Sequence, residues 1–204
     1  AAEAFGRLPK ETDDAEVLAS YAAMVLEAEL QYEYASRAIK IEPWTQEGQP
    51  YPGSREMRED VFKNNHLWVF QGGDPHPLIT PEQIYKMRAV HDLYGHAQTG
   101  FEFGPRGEQN AARAHAQMYS EAAIPAHMTE FFGFTSWNLF SEINRGKPAS
   151  QITYAENRVG LMPATLWLQL LAEGTTVKQA AIDRHDLIMS DKGQRLVSHL
   201  KGMI

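Results

Sequence analysis

Cysteine is absent from this chain of 204 residues. That excludes disulfides, thiolate metal centres and cysteine nucleophiles at once. Any metal must be held through nitrogen and oxygen. Basic residues are in short supply: 19 Lys and Arg face 26 Asp and Glu, a formal net charge of −7. Nucleic acid is therefore not an expected partner on bulk electrostatics. No apolar run reaches the roughly 18 residues of a membrane span. The first residues carry no apolar secretory segment. The expectation is a soluble, cytoplasmic protein with no membrane partner. No glycine-rich phosphate loop follows a strand, no G-x-S-x-G is present, and no internal repeat stands out.

What is present is an ordinary globular balance, 43% apolar and 22% charged. With no linker in sight, residues 1–204 read as one mainly α domain. The expected architecture is a bundle of five to seven helices with a long loop and at most a short β-hairpin. After an irregular arm over 1–11, Thr12, Asp13 and Asp14 offer caps for a helix to about Ile39. Its apolar stripe is Val17, Leu18, Tyr21, Met24, Val25, Ala28, Tyr32, Ala35 and Ile39. Glu27 and Gln31 project together at the stripe's edge, either solvated or as a carboxylate ligand with a partner behind it. Prolines and glycines make 41–59 a loop, with Ser54 placed to cap a short helix. His66 to Gly73 reads as a strand, and Thr80-Pro81-Glu82-Gln83 as a helix start running to about Ala97. A further helix is expected from Glu108 to about Ala123, ended or kinked by Pro125. Two more are expected over 150–173 and 176–189, with a short one in the tail from Lys192.

The chemistry concentrates between Arg88 and Glu130, which holds His91, His96, His115 and His127. At about 100° per residue, Asp92 and His96 share a helix face, while His91 points elsewhere. Glu108 and His115 share a face of the next helix, and Tyr119 continues it one turn on. The alanines between them let helices approach closely. Two helices that each offer a carboxylate and an imidazole suggest a shared metal, because such groups are costly to bury unpaired. Oxygen and imidazole donors suit iron, with manganese or zinc possible. The expected ligands are Asp92, His96, Glu108 and His115. Adding Glu27 and Glu130 gives the ligand count of a carboxylate-bridged di-iron bundle, although the Glu-x-x-His spacing of those bundles is missing. Without them a single ion with open positions remains. His91 and Tyr119 are the candidates for proton transfer. Phe131, Phe134, Trp137 and Asn138 are candidate substrate-pocket residues, in a stretch that also reads as core or as the interface of a possible homodimer.

The stretch RAVHDLYGHAQTGFEFGPRGEQNAARAHAQMY, followed by TEFFGFTSWNLF and YAENRVGLMP, resembles a family of uncharacterised phage and bacterial proteins. Its members look like H-D-x-x-G-H, a glycine-rich turn, G-E-x-N-A, a later His, then T-E and S-W-N. The resemblance covers about half of the chain. It points to His91, Asp92, Gly95, His96, Glu108, Asn110, His115, Glu130, Trp137 and Asn138, and implies no particular reaction. A weaker similarity is to HD phosphohydrolases, which would use His91-Asp92, an earlier His66, and Asp183 or Asp186. A third is to haem-oxygenase-like di-iron oxidases, which combine E-x6-H with D-x3-H in the opposite chain order. The first expectation is thus a metal-dependent oxidoreductase, with one or two non-haem irons, acting on a small organic substrate with dioxygen. The alternatives are a metal-dependent phosphohydrolase and a non-catalytic helical protein with a structural polar network.

Overall fold

The computed structural model describes residues 1–148 and 151–172. It is mainly helical. Helix α1 spans Ala2–Gly6, inside the stretch expected to be irregular. Helix α2 spans Ala15–Ala35, where the Asp14 carboxylate accepts from the Glu16 and Val17 amides. That cap satisfies two of the amides a helix start leaves open. Its buried face follows the stripe read from the sequence except at Leu18, which is 39% exposed, and Tyr32, which is partly buried, and Gln31 is buried among the apolar residues.

The expected hairpin is instead a parallel pair. Strand β1, Lys40–Trp44, runs beside β2, His66–Phe70, in register Lys40 with His66 through Trp44 with Phe70. Parallel neighbours need a crossover rather than a tight turn. Helix α3, Ser54–Asn64, supplies it, and Asn65 ends that helix with a left-handed φ of 52°. The proline content of 41–59 hid β1. Pro43 is tolerated because each strand of a two-stranded sheet has a free edge.

Helix α4, Pro81–Val90, begins on the Thr80–Gln83 capping box and runs straight into a π-helical segment, π1, His91–Ala97. Helix α5 spans Pro105–Ala116 and stops earlier than expected. Three segments then run on from one another: α6 (Ile124–His127), a second π segment π2 (Met128–Gly133), and α7 (Phe134–Phe140). Pro125 opens this run rather than closing the preceding helix. In a first turn its missing N–H costs nothing.

The expected helix over 150–173 is largely replaced by extended chain. From 152 to 163 there is no helix. Side chains hold the segment in place: Asn144 Oδ1 accepts from Thr153 N, Asn138 Oδ1 from Ala155 N, and Thr129 Oγ1 from Met162 N. Helical turns resume at Ala164–Leu166, just past Pro163. The expected helix 176–189 and the tail helix lie outside the described residues, as do Asp183, His185 and Asp186.

Buried residues form two clusters. One gathers α2, α3, α4, π1 and β2, with the partly buried Ile41 of β1 packed against it. The other gathers α1, α5, π2 and the extended chain. Ile124 and Phe131 pack against both. Among the described residues, no helix is long and apolar enough to cross a membrane.

Candidate metal centre

The π turn decides which side chains meet. In an α-helix Asp92 and His96 would share a face. In π1 the backbone bonds run five residues back, as from Gln98 N to Leu93 O at 2.8 Å. The wider turn swings the residue five before His96 towards its face, and it is His91, not Asp92, that converges with His96 on Glu108. His91 Nε2 lies 3.9 Å and His96 Nε2 3.4 Å from the same Glu108 oxygen, Oε2. One ligand atom from each of these three residues lies within 4.8 Å of the others.

Two features press π1 against α5. Gly95 faces α5, where an added Cβ would sit 3.2 Å from the Ala111 Cβ and carbonyl oxygen and from His91 Cε1. A side chain at Gly107 would collide with the Glu102 carbonyl, so the turn before Glu108 needs glycine there. The His96 orientation is fixed from behind. Its Nδ1 donates to the Phe101 carbonyl at 3.0 Å, leaving Nε2 for the cluster. Phe131 stacks on the His91 ring, with centres 4.2 Å apart and planes 18° apart. Phe103, 41% exposed, sets its edge against His96 and marks the solvent side.

The electrostatics follow from burial and these contacts. Burial alone would raise the Glu108 carboxyl, but hydrogen bonds and charge from His91 and His96 pull it down to about 2. Burial lowers His91, and Glu108 only partly offsets this. For His96 burial also lowers, yet Glu108, Asp92 and the Phe101 carbonyl outweigh it, so its affinity for a proton is raised. Asp92 is pushed up to about 7, first by burial and then by the charge of Glu108, against His96 and Arg88.

The remaining candidates are distributed as follows. Asp92 is partly buried beside the cluster but is not one of the three converging groups. His115 is fully buried one layer away, with Nε2 2.7 Å from Gln31 Oε1. Tyr119 packs against the rings of His115 and His127. Glu27 accepts from the Ser120 amide at 2.8 Å and its hydroxyl at 2.5 Å, holding the turn after α5. Glu130 accepts from Tyr21 Oη at 2.6 Å and faces His76 Nε2 at 3.4 Å. Burial and the neighbouring Glu130 charge raise the Tyr21 hydroxyl. Of the aromatic candidates Phe131 reaches the cluster. Phe134 packs on Phe5, Trp137 lies against Gly6, and Asn138 anchors the Ala155 backbone. His66 sits away on β2, between Asp60 at 2.6 Å and Glu42 at 3.2 Å.

His127 reads from the sequence as a loop histidine near Glu130, open to a place beside the metal or to a hydrogen bond in the core; it lies instead at the end of α6. It is fully buried, and its Nε2 donates to the Ala112 carbonyl at 2.8 Å. The available signal was its position four residues after Ala123, past a proline that starts a helix. Set against known proteins, the chain matches no family model, and no curated protein or solved structure is significantly similar to it.

Proposed function

We propose that His91, His96 and Glu108 hold a single non-haem metal ion, iron in the first place, and that the protein oxidises a small organic substrate with dioxygen. The observation that carries this is the approach of both Nε2 atoms to one carboxylate oxygen, at 3.4 and 3.9 Å. Ligand atoms bonded at 2.0–2.2 Å with angles of 90–110° stand about 2.8–3.6 Å apart. The two contacts to Glu108 thus fall within a few tenths of an ångström of that range, and all three ligand atoms lie within 4.8 Å of one another. Two imidazoles and one carboxylate with positions left open is the donor set of non-haem iron oxygenases. When bound, iron supplies the site for binding and activating dioxygen.

The chain's own residues define the rest. Glu108 offsets part of the cation's charge. The Phe101 carbonyl keeps Nδ1 of His96 protonated, so Nε2 stays free to bind. Phe131 covers the His91 ring and keeps water from that side, which leaves the Phe103 side for a small organic molecule. Manganese and zinc suit the same donors, and zinc with two His and one Glu also serves hydrolysis. The HD phosphohydrolase reading is less supported, because it needs Asp92 beside His91 as a ligand, and Asp92 stands outside the cluster.

The test is metal analysis of protein purified without chelator, followed by oxygen-uptake assays on the iron-loaded form. One equivalent of iron that wild type carries and both His91→Ala and His96→Ala lack supports the reading. Zinc with esterase or phosphatase activity, or metal content unchanged in both variants, refutes it.

A further inference from the structure

Four buried imidazoles gather here, His91, His115 and His127 against Phe131 and His96 against His91, and the metal site proposed above uses two of them. The other two, His115 and His127, are fully buried. Each has its proton fixed on Nε2. For His127 the acceptor is the Ala112 carbonyl at 2.8 Å. For His115 it is Gln31 Oε1 at 2.7 Å, and Gln31 is oriented by its own Nε2 donating to the Met118 carbonyl at 3.4 Å. Each Nδ1 is therefore a bare lone pair. Neither has a hydrogen-bond partner among the described residues, and nor does the buried hydroxyl of Tyr119. A histidine whose far nitrogen donates to a fixed oxygen while its near nitrogen is bare is the usual arrangement of a metal ligand.

The ring geometry repeats. The rings of His91 and His96 have centres 5.1 Å apart and planes at 86°. For His115 and His127 the values are 5.0 Å and 90°. Two imidazoles on one ion, with bonds near 2.0–2.1 Å at 90–110°, hold their ring centres about 4.5–5.2 Å apart. Both pairs fit. The cross distances do not: His91 stands 5.6 Å from His115 and 6.4 Å from His127. The four rings thus divide into two pairs rather than one group. Tyr119 completes the second, with its ring centre 4.9 Å from His115 and 4.7 Å from His127.

We infer that His115 Nδ1, His127 Nδ1 and Tyr119 Oη form a second, separate cation site for a divalent transition metal. Two imidazole nitrogens and a phenol oxygen suit zinc, cobalt, copper or iron and not calcium or magnesium, which take oxygen ligands. This inference stands independently of the oxidase reading.

The probe is Co2+ added to the full chain after chelator treatment and dialysis. Metal analysis and visible absorption then give the stoichiometry. Wild type should bind two Co2+ per chain, with one retained in His96→Ala and one in His127→Ala. Tyr119→Phe, which keeps the ring and its packing, should bind the second Co2+ at least tenfold more weakly. That variant decides the matter if His127→Ala fails to fold. A single Co2+ in wild type that His96→Ala removes overturns the second site and leaves the first standing. Wild-type affinity for the second Co2+ in Tyr119→Phe also overturns the assignment. Two Co2+ in wild type, with loss in the His127 variant and none in the His96 variant, would keep the second site and remove the first.

Discussion

Acidification should unfold the metal-free protein through its buried imidazoles. Burial, opposed by the hydrogen bond to Ala112 and reinforced by the charge of His91, lowers His127 to about 3. Its ordinary value is 6.5. Between those two values the unfolded chain binds a proton that the folded chain refuses, so stability falls as the pH falls. At pH 5, about 1.5 units below the unfolded value, this one residue costs about 2 kcal/mol. His115 is lowered in the same sense, chiefly by burial and then by the charges of His127, His91 and His96. The loss is large against a total stability of about 5–15 kcal/mol. Urea unfolding in chelator at pH 7.5 and at pH 5 measures it. The decisive comparison is His127→Gln, whose side chain is neutral at every pH. Whatever that substitution does to absolute stability, its drop from pH 7.5 to pH 5 should be smaller than wild type's by about 2 kcal/mol. An equal drop in both proteins would show that His127 accepts its proton without unfolding, and would refute the reasoning.

Three further outcomes are expected. Gly95→Ala places a methyl group 3.2 Å from the Ala111 carbonyl oxygen and His91 Cε1. It should cost about 1–3 kcal/mol and weaken metal binding by moving π1 off α5, as thermal unfolding with and without metal would show. Glu27→Ala removes the acceptor for the Ser120 amide and hydroxyl. It should lower stability by about 1–3 kcal/mol while leaving metal content unchanged, and lost metal would return Glu27 to the ligand set. Asp92 has its carboxyl held up to about 7, so its ionisation disfavours the fold above that pH, a penalty that fades towards pH 4. Metal-free Asp92→Asn should therefore be more stable than wild type at pH 8, by about 1–2 kcal/mol after allowance for its partial exposure. A less stable variant at pH 8 would mean that the charge is paired.

Much of the helical frame was legible because its signals are local. Asp14 and Thr80 with Gln83 cap where their side chains announce it, and the α2 stripe buries as its spacing dictates. His96 and Glu108 could be read as partners because an acid at the start of one helix faces an imidazole at the end of another. The change from α to π winding at His91 was not legible. Shifting the backbone bonds by one residue exchanged Asp92 for His91, and nothing in residue spacing reports that shift. Glu27 and Glu130 were read as possible metal ligands from their helix faces. Their partners, Ser120, Tyr21 and His76, are 54 to 109 residues away in the chain, and periodicity does not reach that far. The parallel β pair was missed because Pro43 and its neighbours carry a loop's composition, and the extended 152–163 because asparagine and threonine side chains replace helical bonds there.

The central claim is that the π turn at His91 aims two imidazoles and Glu108 at one cation. Anomalous diffraction from crystals grown with the purified protein's own metal tests it most directly. A peak is expected about 2.0–2.3 Å from His91 Nε2, His96 Nε2 and a Glu108 oxygen, with Asp92 outside that sphere. A peak bonded to Asp92 in place of His91, or no peak at these three residues, would contradict it.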